Sequence, residues 1–188
     1  MDVFFLPLVT AALAEWGDKT QILALLLAIR FQKPVAVFAG VACAALLNGA
    51  LAAFAGSLLP QMINHDAALL FLALGFLFAG AGAFLPSRDP ASGLTWRLGA
   101  FFTTFLAFLI VEFGDKTQFI TAGYGAAYPG WPFIAAGAAI GVVLGCAPAI
   151  ALGPAFRRRL PLTVMKRSIG AIFLLIAAML TINGLSLI

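Results

Sequence analysis

Long apolar segments separated by short polar ones make up most of this chain. Apolar runs long enough to cross a bilayer, about 20 residues at 1.5 Å per residue, recur along its whole length. We place six predicted spans at 3–29, 35–59, 67–85, 98–122, 131–153 and 168–188. The pattern predicts an all-α membrane protein with six transmembrane helices and no separate soluble domain.

One polar stretch occurs twice, each time inside an apolar span. Every shared residue of the second copy lies 97 positions after its counterpart, as Glu112 does after Glu15. The first copy is Glu15, Gly17, Asp18, Lys19, Thr20 and Gln21, and the second is Glu112, Gly114, Asp115, Lys116, Thr117 and Gln118. Weaker similarity extends beyond the motif, since Gly40 also lies 97 positions before Gly137. The chain therefore has an internal repeat.

The repeat divides the chain into two units of three spans. The first unit covers residues 1–85, a polar linker covers 86–97, and the second unit covers 98–188. Because each unit contains an odd number of spans, the second must be inverted relative to the first. Two inverted three-helix repeats are the plan of many secondary transporters, whose substrate sites lie near the bilayer midplane.

The composition supports the membrane assignment. Apolar residues make up 63% of the chain and charged residues only 10%, and the mean hydropathy is +1.09. A soluble domain is about one quarter charged. The two cysteines, Cys43 and Cys146, are too few for a disulfide framework or a zinc site.

The positive charges predict the orientation. All Lys and Arg residues outside the motifs fall in loops on one side of the predicted spans, and the positive-inside rule places that side in the cytoplasm. These residues are Arg30, Lys33, Arg88, Arg97, Arg157, Arg158, Arg159, Lys166 and Arg167. We expect a protein of the inner or plasma membrane with both termini outside. The basic run at 157–159 is interpreted as a topology anchor and not as a nucleic-acid site.

The motifs hold four of the seven acidic residues of the chain. A carboxylate at bilayer depth costs about 2.5–3.5 kcal/mol on insertion scales, so these groups are expected to be functional. On a continuous helix Glu15 and Asp18 would lie about 60° apart, with Lys19 on the same face. Thr20 would point away and bond its own backbone. Gly17 permits a helix break, and half-helix ends often coordinate ions.

Together the motifs carry four carboxylates and two ammonium groups, a net charge of minus two that one divalent cation or two protons would neutralise. Their oxygen ligands suit Ca²⁺, Mg²⁺ or Mn²⁺ better than Zn²⁺ or Cu⁺. The candidate metal ligands are Glu15, Asp18, Glu112, Asp115, Gln21 and Gln118. The charge-balancing residues are Lys19 and Lys116, and the supporting or helix-breaking residues are Gly17, Thr20, Gly114, Thr117 and Asn48. We expect Asn48, in the second span, to be an interhelical hydrogen-bond partner, and no resident cofactor is expected.

The sequence Glu-x-Gly-Asp-Lys-Thr, present at 15–20 and 112–117, resembles the signature of the GDT family of cation/proton exchangers. Both copies match the family pattern at every position, and the resemblance covers essentially the whole chain. It implies export of Mn²⁺ or Ca²⁺ from the cytoplasm in exchange for protons, with the acidic motif residues binding the cation. The chain is similar to compact bacterial-type members, which favours Mn²⁺.

Several other interpretations stay open on the residues alone. A Ca²⁺/H⁺ antiporter would have the same architecture, and a non-transporting assembly subunit would need no ion site. An amino-acid exporter would require positive charge at mid-membrane, and an intramembrane aspartyl protease is disfavoured because Glu112 replaces a glycine of its pattern. The charges could also form structural ion pairs within one helix, Glu15–Lys19 and Glu112–Lys116. We expect a transporter and not an enzyme, of undetermined oligomeric state.

Overall fold

The computed structural model describes residues 2–85, 98–159 and 161–185, and the predicted linker 86–97 lies outside the described residues. Within these ranges the chain is helical and contains no strand. The helices are α1 (Asp2–Glu15), α2 (Lys19–Phe31), α3 (Pro34–Leu58), α4 (His65–Gly82), α5 (Gly99–Glu112), α6 (Lys116–Ala127), α7 (Trp131–Leu152), α8 (Pro154–Arg159) and α9 (Leu162–Gly184). A short 3₁₀ turn, Leu59–Gln61, follows α3.

Four of the described helices, α3, α4, α7 and α9, are long and apolar enough to cross a membrane. They correspond to the second, third, fifth and sixth predicted spans. Helix α9 begins at Leu162, before the predicted start at residue 168, so the first turns of α9 contain Lys166 and Arg167. Long basic side chains can occupy a helix end because their charged heads extend towards the polar boundary.

The first and fourth predicted spans are not continuous helices. Each consists of two shorter helices, α1 with α2 and α5 with α6, and the breaks lie at 16–18 and 113–115. Six uninterrupted membrane helices are therefore not observed. The break permitted by Gly17 and Gly114 is present in both copies of the motif.

Large apolar side chains cover much of the outer surface. Leu46 and Phe54 on α3, Ile110 on α5 and Leu175 on α9 are all between about half and two-thirds exposed. An exposed apolar surface of this extent would favour aggregation in water. It is the surface expected of helices that face lipid.

Small residues bring the helices together around the first motif. Helix α7 packs along α1 through Gly137, Gly141 and Gly145, whose spacing of four places them on one face of the helix. A Cβ at Gly141 would overlap the carbonyl oxygen of Leu8, and one at Gly145 would lie 2.6 Å from Glu15 Cβ. Helix α3 packs against α5, α6 and α7, and α4 packs against α6 and α9. The close approach of α1 and α7 places Glu15 directly against the α7 backbone.

Candidate cation site between the two broken helices

The two helix breaks have the same local structure. Gly17 and Gly114 both have φ +73°, a left-handed conformation that costs a residue with a side chain about 1–2 kcal/mol. In each copy the glutamine four residues later folds back over the break. Gln21 Oε1 accepts a hydrogen bond from the Gly17 N–H at 2.9 Å, and Gln118 Oε1 accepts one from the Gly114 N–H at 2.7 Å. Glycine and glutamine together therefore form each break.

The lysines and aspartates of the two motifs form exchanged ion pairs. Lys19 Nζ lies 2.9 Å from Asp115 Oδ1, and Lys116 Nζ lies 2.6 Å from Asp18 Oδ2. Each motif thus supplies the ammonium group of one pair and the carboxylate of the other. The breaks meet at the interface of the repeated units, and the alternative of ion pairs within one helix is wrong for both lysines.

Glu15 is fully buried and both of its oxygens accept hydrogen bonds. The Thr20 hydroxyl donates to Oε2, and the Thr117 hydroxyl of the other motif donates to Oε1 at 2.9 Å. The prediction that Thr20 points away from the site is wrong, because it assumed a continuous helix. The break starts a new helix at Lys19 and turns Thr20 towards Glu15.

Glu112 is also buried, but only one of its oxygens is engaged. Asn48 Nδ2 lies 3.4 Å from Glu112 Oε2, whereas Oε1 has no hydrogen-bond partner among the described residues. Asn48 Oδ1 in turn accepts a hydrogen bond from Gln118 Nε2 at 3.3 Å. Asn48 therefore links α3 to the second motif, and its predicted role as an interhelical hydrogen-bond partner is confirmed.

A small cavity of about 20 Å³ lies beside Glu112. Its polar lining consists of Asn48, Glu112, Thr117, Gln118 and Thr121, and its remaining walls come from α3 and α7. A volume of this size holds about one water-sized particle. The side chain of Glu112, which has one oxygen without a hydrogen-bond partner in the described part of the chain, therefore lines a cavity large enough for a single water molecule or ion.

The predicted ligands are not arranged as a ready metal centre. Within the described ranges, no three His, Cys, Asp or Glu side chains form a cluster that could hold a metal ion. The aspartates are paired with lysines, and both glutamine oxygens accept backbone N–H groups. A cation could use the paired oxygens only after displacing their present partners, whereas Asp115 Oδ2 has no hydrogen-bond partner among the described residues. The predicted metal-binding role of Gln21 and Gln118 stays a prediction.

The structure adds contacts that the motif alone did not predict. The Gly145 carbonyl accepts a hydrogen bond from Gln21 Nε2 at 2.6 Å, and Thr121 lines the cavity. The first turns of α9 cover the first break, because a Cβ at Gly17 would lie 2.9 Å from the Leu162 carbonyl oxygen. In the part of the chain that the structure describes, a Cβ at Gly114 would meet no atom within 4 Å. The repeat offset could have identified Gly145, which stands 97 positions after Asn48.

Known proteins give a consistent assignment. The sequence model of the divalent cation/proton antiporter GDT1 family matches residues 3–91 and 100–187. A relative from Vibrio cholerae serotype O1, described as a "Putative manganese exporter", is 35% identical over 179 residues, which cover 94% of this chain and 89% of the relative. No solved structure is significantly similar to the chain. With a match over nearly its whole length, the chain belongs to the divalent cation/proton antiporter family, a family of integral membrane transporters.

Proposed function

We propose that this protein exports a divalent cation, in the first place Mn²⁺, from the cytoplasm in exchange for protons. The family supports cation/proton exchange, and the relative described as a manganese exporter supports Mn²⁺ over Ca²⁺. The observation that carries the proposal is the pair of buried glutamates, Glu15 and Glu112, flanked by the exchanged lysine–aspartate pairs.

Charge balance explains why the two ions would exchange. The four carboxylates and two lysines of the site leave a net charge of minus two, which is costly in an apolar interior. One divalent cation neutralises it, and so do two protons. Because either occupant removes the need for the other, cation release favours proton uptake and proton release favours cation binding.

The proposed cation ligands are Glu15, Asp18, Glu112 and Asp115, with the amide oxygens of Gln21 and Gln118 as further ligands. Carboxylate and amide oxygens are the ligands that Mn²⁺ and Ca²⁺ accept. In the cation-free site, Lys19 and Lys116 neutralise the aspartates that the cation would bind. We expect cation binding to displace both ammonium groups from their carboxylate partners.

The proposed membrane arrangement treats α1 with α2, and α5 with α6, as one crossing each. With the four long helices this makes six crossings, in two inverted repeats at 1–85 and 98–188 joined by the linker 86–97. The basic loops then lie in the cytoplasm and both termini outside. Broken helices that meet at the midplane between inverted repeats suit alternating access by rocking of one repeat against the other.

The test is ion flux in vesicles that contain the purified protein. We expect an imposed proton gradient to drive Mn²⁺ accumulation, and Mn²⁺ added without a gradient to move protons in the opposite direction. Glu15→Gln and Glu112→Gln should abolish both fluxes, because each removes a buried negative charge that the cation or a proton would neutralise. Ser57→Ala is the matched control, since its hydroxyl bonds the Phe54 carbonyl of its own helix, away from the site.

Other results of the flux experiment would favour other functions. Mn²⁺ flux that ignores the proton gradient would contradict the exchange mechanism. Flux of Ca²⁺ that Mn²⁺ does not inhibit would assign a Ca²⁺/H⁺ antiporter of the same architecture. A folded protein that moves neither ion would favour a non-transporting assembly subunit.

A further inference from the structure

One difference between the two repeats lies directly beside the two glutamates. Asn48 on α3 stands 97 positions before Gly145 on α7, so these residues occupy equivalent places in the two units. Asn48 brings a buried amide side chain to the second motif. Gly145 brings only its backbone to the first, and the space for a side chain is taken by Glu15 Cβ. The two glutamates therefore have different neighbours.

The second motif contains a chain of hydrogen bonds with a fixed direction. The Gly114 N–H can only donate, so Gln118 must present its oxygen to Gly114 and its amide N–H to Asn48. Asn48 then accepts through Oδ1 and has only its Nδ2 to offer Glu112. This network settles the amide orientations, which are otherwise ambiguous. Asn48 is therefore a donor to Glu112 and does not present its oxygen to that carboxylate.

The corresponding series of hydrogen bonds in the first motif does not include Glu15. Gln21 accepts from the Gly17 N–H, and its amide N–H donates to the Gly145 carbonyl. Glu15 is held instead by two threonine hydroxyls, one from each motif, which engage both of its oxygens. Of the two glutamates, Glu112 alone has an oxygen without a hydrogen-bond partner among the described residues, and it alone lines the cavity of about 20 Å³.

We infer that Asn48, which lies outside both motifs, is a positioning residue that holds Glu112 with one oxygen free to receive the transported divalent cation in this cavity. The inference rests on the proposed function and deepens it. A space for one water-sized particle admits a bare cation but not one with a full hydration shell. In this conformation the cation therefore binds first at Glu112, because both oxygens of Glu15 already accept hydrogen bonds from threonine hydroxyls.

The test combines direct Mn²⁺ binding with transport, using Asn48→Ala and the bulkier Asn48→Leu. Binding is measured on the purified protein in detergent from the loss of the electron paramagnetic resonance signal of free Mn²⁺. A hydrogen bond to a charged group is worth enough to weaken binding by about tenfold when it is lost. We expect both variants to raise the Kd and the KM for Mn²⁺ by about that factor and to leave the maximal rate within about twofold. Ser57→Ala on the same helix should change neither quantity.

Asn48→Leu is included in case Asn48→Ala leaves a cavity that unfolds the protein. Leucine fills the space of the asparagine side chain but has no hydrogen-bonding group. An unchanged Kd in either folded variant would overturn the inference, and so would a loss of maximal rate with unchanged KM. The proposed function fails separately, if the wild-type protein neither binds nor transports Mn²⁺. If Glu112→Gln abolishes transport while the Asn48 variants behave as wild type, the function stands and the positioning role does not.

Discussion

The two exchanged ion pairs have different surroundings. The side chains of Lys19 and Asp115 are 37% and 16% exposed, whereas those of Lys116 and Asp18 are 18% and 11% exposed. A charge left without its partner is tolerated when it can reach solvent and is costly when it cannot. The two pairs join the same motifs, but their contributions to stability should differ for this reason.

We expect Asp18→Asn to destabilise the protein more than Asp115→Asn. The first change leaves Lys116 in a mostly enclosed place, for which breaking a buried pair costs about 3 kcal/mol. The second leaves Lys19, which can turn outwards, at a cost of about 1 kcal/mol. Unfolding by denaturant in detergent measures both, with Asp66→Asn, which is exposed in the first turn of α4, as the control. Equal losses, or a larger loss for Asp115→Asn, would contradict this account of the pairs.

At the scale of the elements, the broken helices matter more than the long ones. The four long helices supply packing surfaces, and the α7 glycine face lets α1 approach closely. Because each helix is broken within its motif, the motif side chains do not follow the geometry of one continuous helix. Side chains that are close in sequence therefore contact different residues. Both breaks depend on a left-handed glycine, but among the described residues only the first is covered, by the first turns of α9.

The glycines of the two breaks provide a matched pair of substitutions. Gly17→Ala and Gly114→Ala should each cost about 1–2 kcal/mol because of the left-handed backbone. Gly17→Ala should cost more, since the new Cβ would lie 2.9 Å from the Leu162 carbonyl oxygen. Thermal unfolding of the purified variants compares them. Gly82→Ala, whose Cβ would meet no atom of the described residues within 4 Å, should change the midpoint little. If Gly114→Ala proved the more harmful, α9 would not cover the first break in the folded protein.

For the molecule as a whole, the site joins both repeated units. Each motif donates a lysine to the other, Thr117 of the second unit bonds Glu15 of the first, and Asn48 of the first bonds Glu112 of the second. A ligand at this place contacts residues from both halves of the chain. Its binding should therefore stabilise the fold as one cooperative unit.

We expect Mn²⁺ to raise the unfolding temperature of the wild-type protein. A ligand at about 100 times its Kd stabilises the folded state by about 2.7 kcal/mol. Glu112→Gln should lose most of this effect, because the substitution removes the carboxylate that we propose as the cation ligand, whereas Ser57→Ala should keep it. Differential scanning fluorimetry with and without Mn²⁺ provides the measurement. A shift of equal size in Glu112→Gln would show that the ion stabilises the protein from another place.

The sequence alone determined the membrane-length helices and the doubled motif. Apolar length and composition decide whether a segment can lie in lipid, and both can be counted along the chain. The glycine at the centre of each motif also indicated where a helix could break. The offset of the repeat predicted that the motifs are equivalent, and the local geometry at Gly17 and Gly114 is the same.

The contacts between the side chains of the site depend on the three-dimensional packing of the helices. Helical geometry placed Lys19 beside Glu15, but the break carries Lys19 to Asp115 and turns Thr20 towards Glu15. Asn48 contacts Glu112 through its side chain, whereas Gly145 leaves no room for a side chain because α7 lies directly against α1 at Glu15. The spacing of residues within one segment does not predict this distance between helices. Contacts between distant parts of a chain depend on packing in three dimensions, and for that reason the repeated sequence did not reveal that one glutamate is closed and the other has a free oxygen.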